Sequence, residues 1–313
     1  MNYFDCHADT LTEIPVDENL WENSRNLDLK RVRAFAEKHI QVFALWRDRK
    51  QMNEVSPEEE FLRLLGRAMA LLQEQKSRIM LCRGAEDMKQ AHAEGKSAAF
   101  LSIEDCSIMG RLVERVEEFS ISFALLTWNY ENEYGTGAVM SQSRGLTAEG
   151  KRLVRKLTNS SVVLDISHLS DAGAEDVFSL TDAPVIASHS NVRDICHHPR
   201  NLTNPHIREI IRRGGLIGIN FYEPFVASGQ AGIQELLCHM DAILNMGGEH
   251  VLALGTDFDG CSNQFPQGLG GVEAIPKLRE EMLRAGFGEQ LVEQILFENG
   301  CRFIKQNLSY KIQ

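Results

Sequence analysis

Eight short apolar segments, rich in β-branched residues, recur along the chain and alternate with amphipathic segments. The eight are "NYFDCHAD" (2–9), "IQVFALW" (40–46), "SAAFLSIE" (97–104), "ISFALLTW" (121–128), "SVVLDISH" (161–168), "APVIASHS" (183–190), "GLIGINFY" (215–222) and "HVLALGTD" (250–257). Strands that are apolar on both faces and alternate with helices are typical of a parallel sheet covered by helices. The count of eight favours a closed (β/α)8 TIM barrel. A ninth segment, "RIMLC" (78–82), is shorter and is interpreted as a peripheral strand.

The segments between the strands have helical periodicity. Examples are "PEEEFLRLLGRAMALLQEQK", "TAEGKRLVRKLTN", "DAGAEDVFSLT" and "NPHIREIIRRGG", the last ending at the stop signal Gly214 and Gly215. A doubly wound open sheet is the alternative, but it usually carries a glycine-rich loop after its first strand, and "FDCHADTLTE" has no glycine. Because no repeat, low-complexity tract or linker interrupts the pattern, we predict one barrel domain over residues 1–313.

Composition narrows the functional classes. The chain has 313 residues, of which 43% are hydrophobic and 25% charged, as in ordinary globular proteins. A net charge of -11 argues against a nucleic-acid partner. The sequence has neither a signal-peptide pattern nor an apolar run of membrane-spanning length, so we expect no membrane association. Seven cysteines without CxxC spacing favour a reducing compartment, and we predict the cytoplasm.

Five of the eight predicted strands end in side chains that can bind a metal ion or transfer a proton. In strand order these are His7 and Asp9, then Glu104, His168, His189 and Asp257. The chemistry of such barrels lies at the C-terminal ends of the strands, where residues from distant parts of the chain meet. Any one of these residues alone could be a loop or capping residue. Together they predict one site.

The spacing of His7 and Asp9 is informative because of the strand that carries them. The same His-x-acid spacing occurs at 92–94 and 239–241, but both of those pairs lie in segments with helical patterns. Residues i and i+2 share one face of a strand, whereas they diverge around a helix. The pair at the N-terminus is therefore the candidate for metal binding.

The ligand types indicate a catalytic rather than a structural metal site. Imidazole and carboxylate ligands without thiolates suit zinc, manganese or another divalent first-row ion. Two histidine-containing clusters joined by a bridging carboxylate would hold two ions about 3.5–4 Å apart, an arrangement that assists hydrolysis.

Six motifs, in order and over nearly the whole chain, carry a family resemblance. They are "DCHAD", "SIED", "LDISHLSD", "ASHSNVRDICHHPRNLT", "GGLIGINFY" and "GTDFDG". The chain resembles the membrane dipeptidase (renal dipeptidase, peptidase M19) family. The resemblance implies a (β/α)8 metallohydrolase related to the amidohydrolases, with two zinc ions per chain. It also implies cleavage of dipeptides, often including those with a C-terminal D-residue, and a homodimer.

The resemblance assigns the metal ligands by motif. It implies that one zinc ion is bound by His7 and Asp9, that the other is bound by His168 and His189, and that Glu104 bridges the two. Other divalent first-row ions remain possible occupants.

The resemblance also assigns the substrate-binding and proton-transfer residues. Asp257, the first aspartate of "DFDG", is implied as the proton shuttle, Arg200 of "PRNLT" as the partner of the substrate carboxylate, and Tyr222 of "NFY" as a pocket residue. Two neighbouring acids receive other interpretations. Asp165 faces away from the site by strand alternation and is structural, and Asp259 is a turn residue.

The chain departs from the family pattern at three positions. Cys6 and Asp105 stand where the family usually has glycine, and alternation directs Cys6 towards the helices as a core thiol. Cys106, two positions after Glu104, could by alternation face the same side and act as an extra ligand, but we expect that it does not, because catalytic zinc sites of this kind keep a position open for water. Trp128 replaces a histidine that contacts substrate in the family, and its indole offers a donor but no acceptor. We expect Trp128 to line the substrate pocket.

Three functions are compatible with these residues. The leading hypothesis is a binuclear zinc dipeptidase in which a metal-activated water attacks the peptide bond and Asp257 moves the proton. The alternative is another amide or ester hydrolase on the same metal core, acting on N-acyl amino acids or lactones, with Trp128 reshaping the pocket. A metal-binding barrel without turnover is disfavoured because every metal and proton-transfer position is present.

Overall fold

A single sheet of parallel strands organises the computed structural model of the protein, which describes residues 1–52 and 55–308. Its strands are β1 (Tyr3–Ala8), β2 (His39–Leu45), β3 (Ile79–Leu81), β4 (Ser97–Glu104), β5 (Ile121–Leu125), β6 (Val163–Asp165), β7 (Ile186–Ala187), β8 (Leu216–Ile219) and β9 (Leu252–Leu254).

Eight of these strands close into a barrel. The order runs from β2 through β1, β9, β8, β7, β6 and β5 to β4, and β4 pairs with β2 to complete the circle. The short β3 pairs with the first residues of β4, and β5 takes the same edge from Leu101 onwards. The predicted (β/α)8 barrel and the peripheral position of residues 78–82 are therefore confirmed.

Helices surround the barrel. They are α1 (Thr10–Glu13), α2 (Leu29–Arg33), α3 (Pro57–Glu74), α4 (Ala85–Ala93), α5 (Ala148–Thr158), α6 (Asp171–Leu180), α7 (Asn204–Arg212), α8 (Glu223–Val226), α9 (Ile233–Leu244), α10 (Ile275–Arg284), α11 (Glu289–Glu293) and α12 (Asn299–Asn307). Four of them begin at a hydroxyl that accepts a hydrogen bond from a first-turn backbone N–H. These capping residues are Ser56, Thr147, Ser170 and Thr203. Within the described chain, every helix is too short or too polar to cross a lipid bilayer.

Most of the barrel strands are shorter than the sequence predicts. Strands β5 to β9 each stop three residues before the predicted end. Five side chains therefore lie in loops, namely those of Trp128, His168, His189, Tyr222 and Asp257. The apolar pattern does not reveal this because the residues between each strand end and these side chains are also buried. Leaving the ladder frees the backbone to turn these side chains towards the barrel axis. Asp257 shows the turn directly, with φ of 58°.

The buried apolar residues form two clusters, an inner one inside the barrel and an outer one between the strands and the helices. The inner cluster takes one or more residues from each of the eight barrel strands, including Phe4, Ile40, Phe100, Phe123, Val163, Ile186, Leu216 and Ala253. It also contains Phe303 and Ile304 of α12, which therefore help to fill the interior. The larger cluster joins the outer faces of the strands to the helices.

A bulge in β1 overturns the orientation expected for Cys6. The pairing of β1 with β2 shifts register between Asp5 and Ala8, so β1 holds one extra residue there. Cys6 consequently packs in the inner cluster, whereas Ala8 packs in the outer one. The prediction that Cys6 is a buried core thiol is correct, but the prediction that it faces the helices is wrong. Simple alternation fails at this point because the bulge is not visible in the sequence.

Candidate metal centre

The first donor cluster forms where β1 meets β4. His7 Nε2 lies 3.5 Å from Asp9 Oδ2 and 3.1 Å from Glu104 Oε2. His7 is fully buried, and Asp9 and Glu104 are each only 4% exposed. The two donors of β1 reach the site together because the strand bulge turns His7 inward, and Asp9 follows directly after the strand.

The second donor cluster contacts the other oxygen of the same carboxylate. Glu104 Oε1 lies 2.8 Å from His168 Nε2 and 3.8 Å from His189 Nε2. The two Nε2 atoms are 2.9 Å apart. One oxygen of Glu104 therefore faces each cluster, which is the arrangement required of a carboxylate that bridges two ions.

Hydrogen bonds to the far side of the rings show that this centre suits a cation. His168 Nδ1 lies 2.9 Å from Asn129 Oδ1, an acceptor, so Nδ1 carries the ring proton and Nε2 presents a lone pair. That lone pair points at Glu104 Oε1 and at His189 Nε2. Among the described residues, His7 Nε2 and Asp9 Oδ1 have no hydrogen-bond partner. Buried lone pairs without donors are costly, and a divalent ion would satisfy them.

The histidine pKa values differ between the two clusters. Burial lowers the pKa of His7, but the carboxylates of Glu104 and Asp9 outweigh it and hold this pKa well above its usual value. Burial and the charge of Arg200 lower the pKa of His168 to about 3. Burial, with the charges of His7 and Arg200, holds the pKa of His189 well below its usual value. The carboxylates around His7 therefore favour a positive charge at that side, which an ion bound by a neutral His7 would supply equally well, and His168 and His189 are neutral, the form in which histidine binds a metal.

Asp257 stands beside the first cluster. Its Oδ1 lies 3.9 Å from His7 Nε2, and its Oδ2 accepts a 3.0 Å hydrogen bond from Asn220 Nδ2. Gly260 makes room for it, because a Cβ at that position would lie 2.4 Å from Asp257 Oδ1 and 2.3 Å from Asp9 Oδ2. The ligand atoms of His7, Asp9 and Asp257 all lie within 4.8 Å of one another. The geometry therefore permits Asp257 to carry a proton or to act as a further ligand.

Arg200 is a buried cation at the edge of the centre. One of its terminal nitrogens, Nη1, donates to the carbonyl oxygen of Ser167. Its Nε and Nη2 are buried and have no hydrogen-bond partner within the described parts of the chain. Burial lowers its pKa to about 10, so it remains charged at neutral pH. Two unpartnered donors on one guanidinium present the geometry that binds a carboxylate.

A cavity of about 450 Å³ opens over the centre. Its lining residues are Asp9, Glu13, Trp46, Glu104, Trp128, Asn129, His168, Arg200, Tyr222, Phe225, Asp257, Asp259, Gly260 and Ser262. The cavity thus includes all three residues predicted to contact substrate, together with four of the six predicted metal and proton-transfer residues. The other two, His7 and His189, are more deeply buried.

Aromatic rings form one wall of this cavity. Trp46 and Trp128 follow the strands on either side of β4, and their ring centroids are 4.9 Å apart. Trp128 also lies 5.2 Å from the ring of Tyr130 and 6.0 Å from that of His168. The wall therefore stands beside Glu104 and the second cluster.

Sequence reasoning missed the residues that support the donors. Asn129 and Ser188 contact the outer nitrogens of His168 and His189, and Asn220 holds Asp257. Trp46 was also missed. The sequence offered one signal for three of them: Asn129 and Ser188 are next to predicted site residues, and Trp46 is the last residue of a predicted strand. Their roles depend on partners far away in the chain.

The interpretations of Cys106 and Asp259 agree with the structure, whereas the orientation predicted for Asp165 is wrong. Cys106 packs in the outer cluster, away from the donors. Asp165 shares the inner face of β6 with Val163, and its buried carboxylate accepts hydrogen bonds from the backbone N–H groups of Ser167 and Ser188, beside the two histidines of the second cluster. Asp259 has φ of 72° and accepts from Thr10 Oγ1 and the N–H of Asn26, so it joins loops.

Comparison with known proteins identifies the family. A family model described as membrane dipeptidase (peptidase family M19) matches residues 1–313. The chain belongs to this family. As a member it is a metallo-dipeptidase, a hydrolase of peptide bonds, and the resemblance inferred from its motifs is confirmed.

Two solved structures and one curated sequence show the extent of the similarity. A dipeptidase AC, described as a metallopeptidase of family M19, gives a TM-score of 0.87 at 25% identity and covers 99% of both chains. A metallopeptidase from Rhodobacter sphaeroides, solved with a phosphinate mimic of L-Ala-D-Ala, gives 0.86 at 24% identity over 98% of this chain and 99% of that chain. An uncharacterized protein in the pqqA 5' region of Klebsiella pneumoniae is 29% identical over 242 residues, covering 73% of this chain and 89% of the relative.

Proposed function

We propose that this M19 family member is a binuclear zinc dipeptidase. The observation that carries the proposal is the division of donors around Glu104, whose two oxygens face separate clusters. His7 and Asp9 would hold one ion, and His168 and His189 the other. When bound, the ions would supply Lewis acidity and an activated water for amide hydrolysis. Three imidazoles with carboxylates and no thiolate suit zinc, although other divalent first-row ions could occupy the same ligands.

In this proposal Arg200 binds the free carboxylate of the dipeptide. Its buried Nε and Nη2 lack partners among the described residues and can form a charge-assisted pair of hydrogen bonds. Tyr222 and Phe225 line the same cavity, and the guanidinium carbon of Arg200 lies 5.4 Å from the ring centroid of Phe225. A substrate carboxylate fixed at this point would place the peptide bond over the donor clusters.

Asp257 is proposed as the group that moves the proton. It lines the cavity beside the His7 cluster, and Asn220 engages only one of its oxygens. The other oxygen can accept a proton from the attacking water and return it to the departing amine.

The substrate is proposed to be a dipeptide with a free C-terminal carboxylate, including dipeptides whose C-terminal residue is D. The Rhodobacter sphaeroides relative was solved with a mimic of L-Ala-D-Ala, which makes L-Ala-D-Ala and L-Ala-L-Ala the first pair to assay. We further propose a cytoplasmic homodimer. Seven free cysteines, six of them buried, support a reducing compartment. Light scattering at several protein concentrations would test the dimer.

One observation favours a second candidate, an N-acyl amino acid hydrolase or lactonase. Trp128 stands where the resemblance places a substrate-contacting histidine, and it packs against Trp46 to make that wall apolar. A panel of dipeptides, N-acyl amino acids and lactones separates the two candidates. The variant Trp128→His should change the order of substrates in this panel without changing metal content. Loss of metal in that variant would contradict the assignment of Trp128 to the pocket wall.

The central experiment combines metal analysis with the dipeptide assay. Wild-type protein should hold close to two zinc ions per chain, and Glu104→Gln should lose at least one ion together with dipeptide hydrolysis. Glu13→Gln is the matched control, because Glu13 lines the same cavity but lies outside the donor clusters. A Glu104→Gln protein with two ions and full activity would rule out the bridged centre.

A further inference from the structure

A chain of four buried side chains runs from His189 away from the metal centre. His189 Nδ1 lies 2.7 Å from Ser188 Oγ, which lies 3.2 Å from Ser167 Oγ. Ser167 Oγ in turn lies 2.8 Å from Asp165 Oδ1. All four residues are at most 2% exposed, so water does not compete for these contacts. The proposed hydrolytic mechanism does not use Ser188, Ser167 or Asp165.

The direction of each hydrogen bond follows from the carboxylate end. Asp165 Oδ1 accepts from the backbone N–H groups of Ser167 and Ser188, at 2.9 and 3.1 Å, as well as from Ser167 Oγ. With three donors pointing at it, Oδ1 is an acceptor, and the single hydroxyl hydrogen of Ser167 is committed to it. Ser167 Oγ can then only accept, and it does so from the backbone N–H of His189 at 3.2 Å.

The same reasoning fixes the histidine tautomer. Because Ser167 Oγ only accepts, its contact with Ser188 is a hydrogen bond only if Ser188 donates, and the Asp165 carboxylate draws the Ser188 hydroxyl hydrogen in the same direction, away from His189. Ser188 Oγ is left as an acceptor towards His189, so Nδ1 carries the ring proton. The Nε2 lone pair of His189 then points at the centre, where Glu104 and His168 lie.

We propose that Asp165, Ser167 and Ser188 form a relay that positions His189 and fixes its Nδ1–H tautomer for metal binding. The inference rests on the proposed function only in taking a metal ion as the group that His189 faces. Asp165, Ser167 and Ser188 are positioning residues, since they act through His189. Supporting hydrogen bonds of this kind orient a ligand and raise its basicity, and their loss typically weakens metal affinity about 10- to 100-fold.

The relay acts on one side of the centre. His168 has its own acceptor, Asn129 Oδ1, whereas neither ring nitrogen of His7 has a hydrogen-bond partner in the described chain. Disruption of the relay should therefore weaken the ion held by His168 and His189, while the ion held by His7 and Asp9 stays bound.

The test compares Ser188→Ala with Ser190→Ala. The two serines flank His189 and both are buried, with 2% and 0% of their surface exposed. Ser190 Oγ, however, has no hydrogen-bond partner among the described residues. Metal-free protein is titrated with zinc against a competing chelator, and histidine nitrogen-15 spectra report the ring protons. We expect Ser188→Ala to lower the affinity for one of two zinc ions about 10- to 100-fold and to lose the single Nδ1–H form of His189. Ser190→Ala should match wild type in both measurements.

Two further variants guard against a general structural effect. Ser188→Thr returns a hydroxyl and should recover the tautomer, and Ser167→Ala breaks the relay one step further away and should act like Ser188→Ala. The relay is excluded if the wild-type ring carries its proton on Nε2, or if Ser188→Ala and Ser190→Ala bind zinc alike. Neither readout uses peptide hydrolysis. Inactivity towards dipeptides with the expected tautomer and zinc affinities would reject the proposed function and leave the relay standing.

Discussion

Asp257 occupies a backbone conformation that residues with side chains rarely adopt. Its φ of 58° lies in the left-handed region, and it follows the last residue of β9 by three positions. Strain of this kind persists where surrounding contacts over-determine it, and it concentrates at functional sites. Here the Asn220 amide donates a hydrogen bond to the Asp257 carboxylate, and the absence of a side chain at Gly260 leaves room for that carboxylate. The turn directs one carboxylate oxygen towards His7.

Asp257→Asn should lower kcat roughly a hundredfold or more, because an amide cannot take a proton from water and return it to the amine. Metal content, measured by elemental analysis, should stay near two ions, since the other five side chains supply ligands. The control is Asp259→Asn, which lines the same cavity but is engaged with Thr10 and Asn26. Loss of one ion from Asp257→Asn would make Asp257 a ligand, and near wild-type turnover would exclude it as the proton carrier.

Arg200→Lys should raise KM about tenfold or more with a smaller effect on kcat. A lysine is a single point charge and cannot reproduce two parallel hydrogen bonds to a carboxylate. Steady-state kinetics on a dipeptide and on its C-terminal amide provide the measurement. Wild type should prefer the free acid strongly, and the variant should lose most of that preference. An unchanged ratio between acid and amide would show that Arg200 binds something else.

At the scale of elements, the side chain of Asn191, after β7, binds the backbone of Asn220, after β8, through two hydrogen bonds. Asn191 Nδ2 donates to the carbonyl of Asn220, and Asn191 Oδ1 accepts from the N–H of Asn220, both at 2.9 Å. Both residues are fully buried. Asn191 thus fixes the backbone at the end of β8, from which the Asn220 side chain reaches Asp257 on the loop after β9.

This arrangement predicts different outcomes for the two asparagines. Asn191→Leu and Asn220→Leu should both lower stability, because each leaves buried backbone groups without partners. Only Asn220→Leu also removes the donor to Asp257, so its kcat should fall a further ten- to hundredfold or so, as expected for a misplaced catalytic group. Thermal unfolding and kinetics on the same preparations separate the effects. Equal kcat values for the two variants would contradict the positioning of Asp257 by Asn220.

The sequence predicts the elements of this fold better than their ends. Eight apolar runs and their helices place every barrel strand, because burial on both faces leaves a continuous apolar signal. The bulge in β1 leaves no such signal in the sequence, so the predicted direction of the Cys6 side chain is wrong. The motif resemblance locates the donors, but the partners that orient them do not follow from it. Ser167 reaches Ser188 from another strand end, and that contact exists only after the barrel closes.

At the scale of the whole molecule, stability in acid should depend on His39. Its ring stacks on Tyr3 with centroids 5.3 Å apart, and neither ring nitrogen has a hydrogen-bond partner in the described part of the chain. Burial, with the nearby charges of Arg33 and His92, lowers its pKa to about 3. The unfolded chain therefore binds a proton below about pH 6.5 that the folded protein refuses, so stability falls as pH drops from about 6.5 towards 3.

His39→Phe should remove this acid sensitivity. Between pH 7 and pH 4, wild type should lose about 3 kcal/mol more of its free energy of unfolding than the variant does. Urea unfolding at the two pH values gives the comparison, and the pH dependence contributed by other groups cancels between the two proteins. His250→Phe, at an exposed position, should lose as much as wild type. Identical losses in wild type and His39→Phe would show that His39 is not buried in its neutral form.

The closure of the barrel also sets an order of events during synthesis. Asp5 of β1 pairs with Leu254 of β9, and α12 fills the interior against residues of the first strands. Chains emerge from the ribosome at roughly 5–20 residues per second, so the first strand waits many seconds for its last neighbour. Asp257 is synthesised 250 residues after His7. The pocket can therefore assemble only after every strand from β1 to β9 has been synthesised, and the donors of β1 remain without their partners until then.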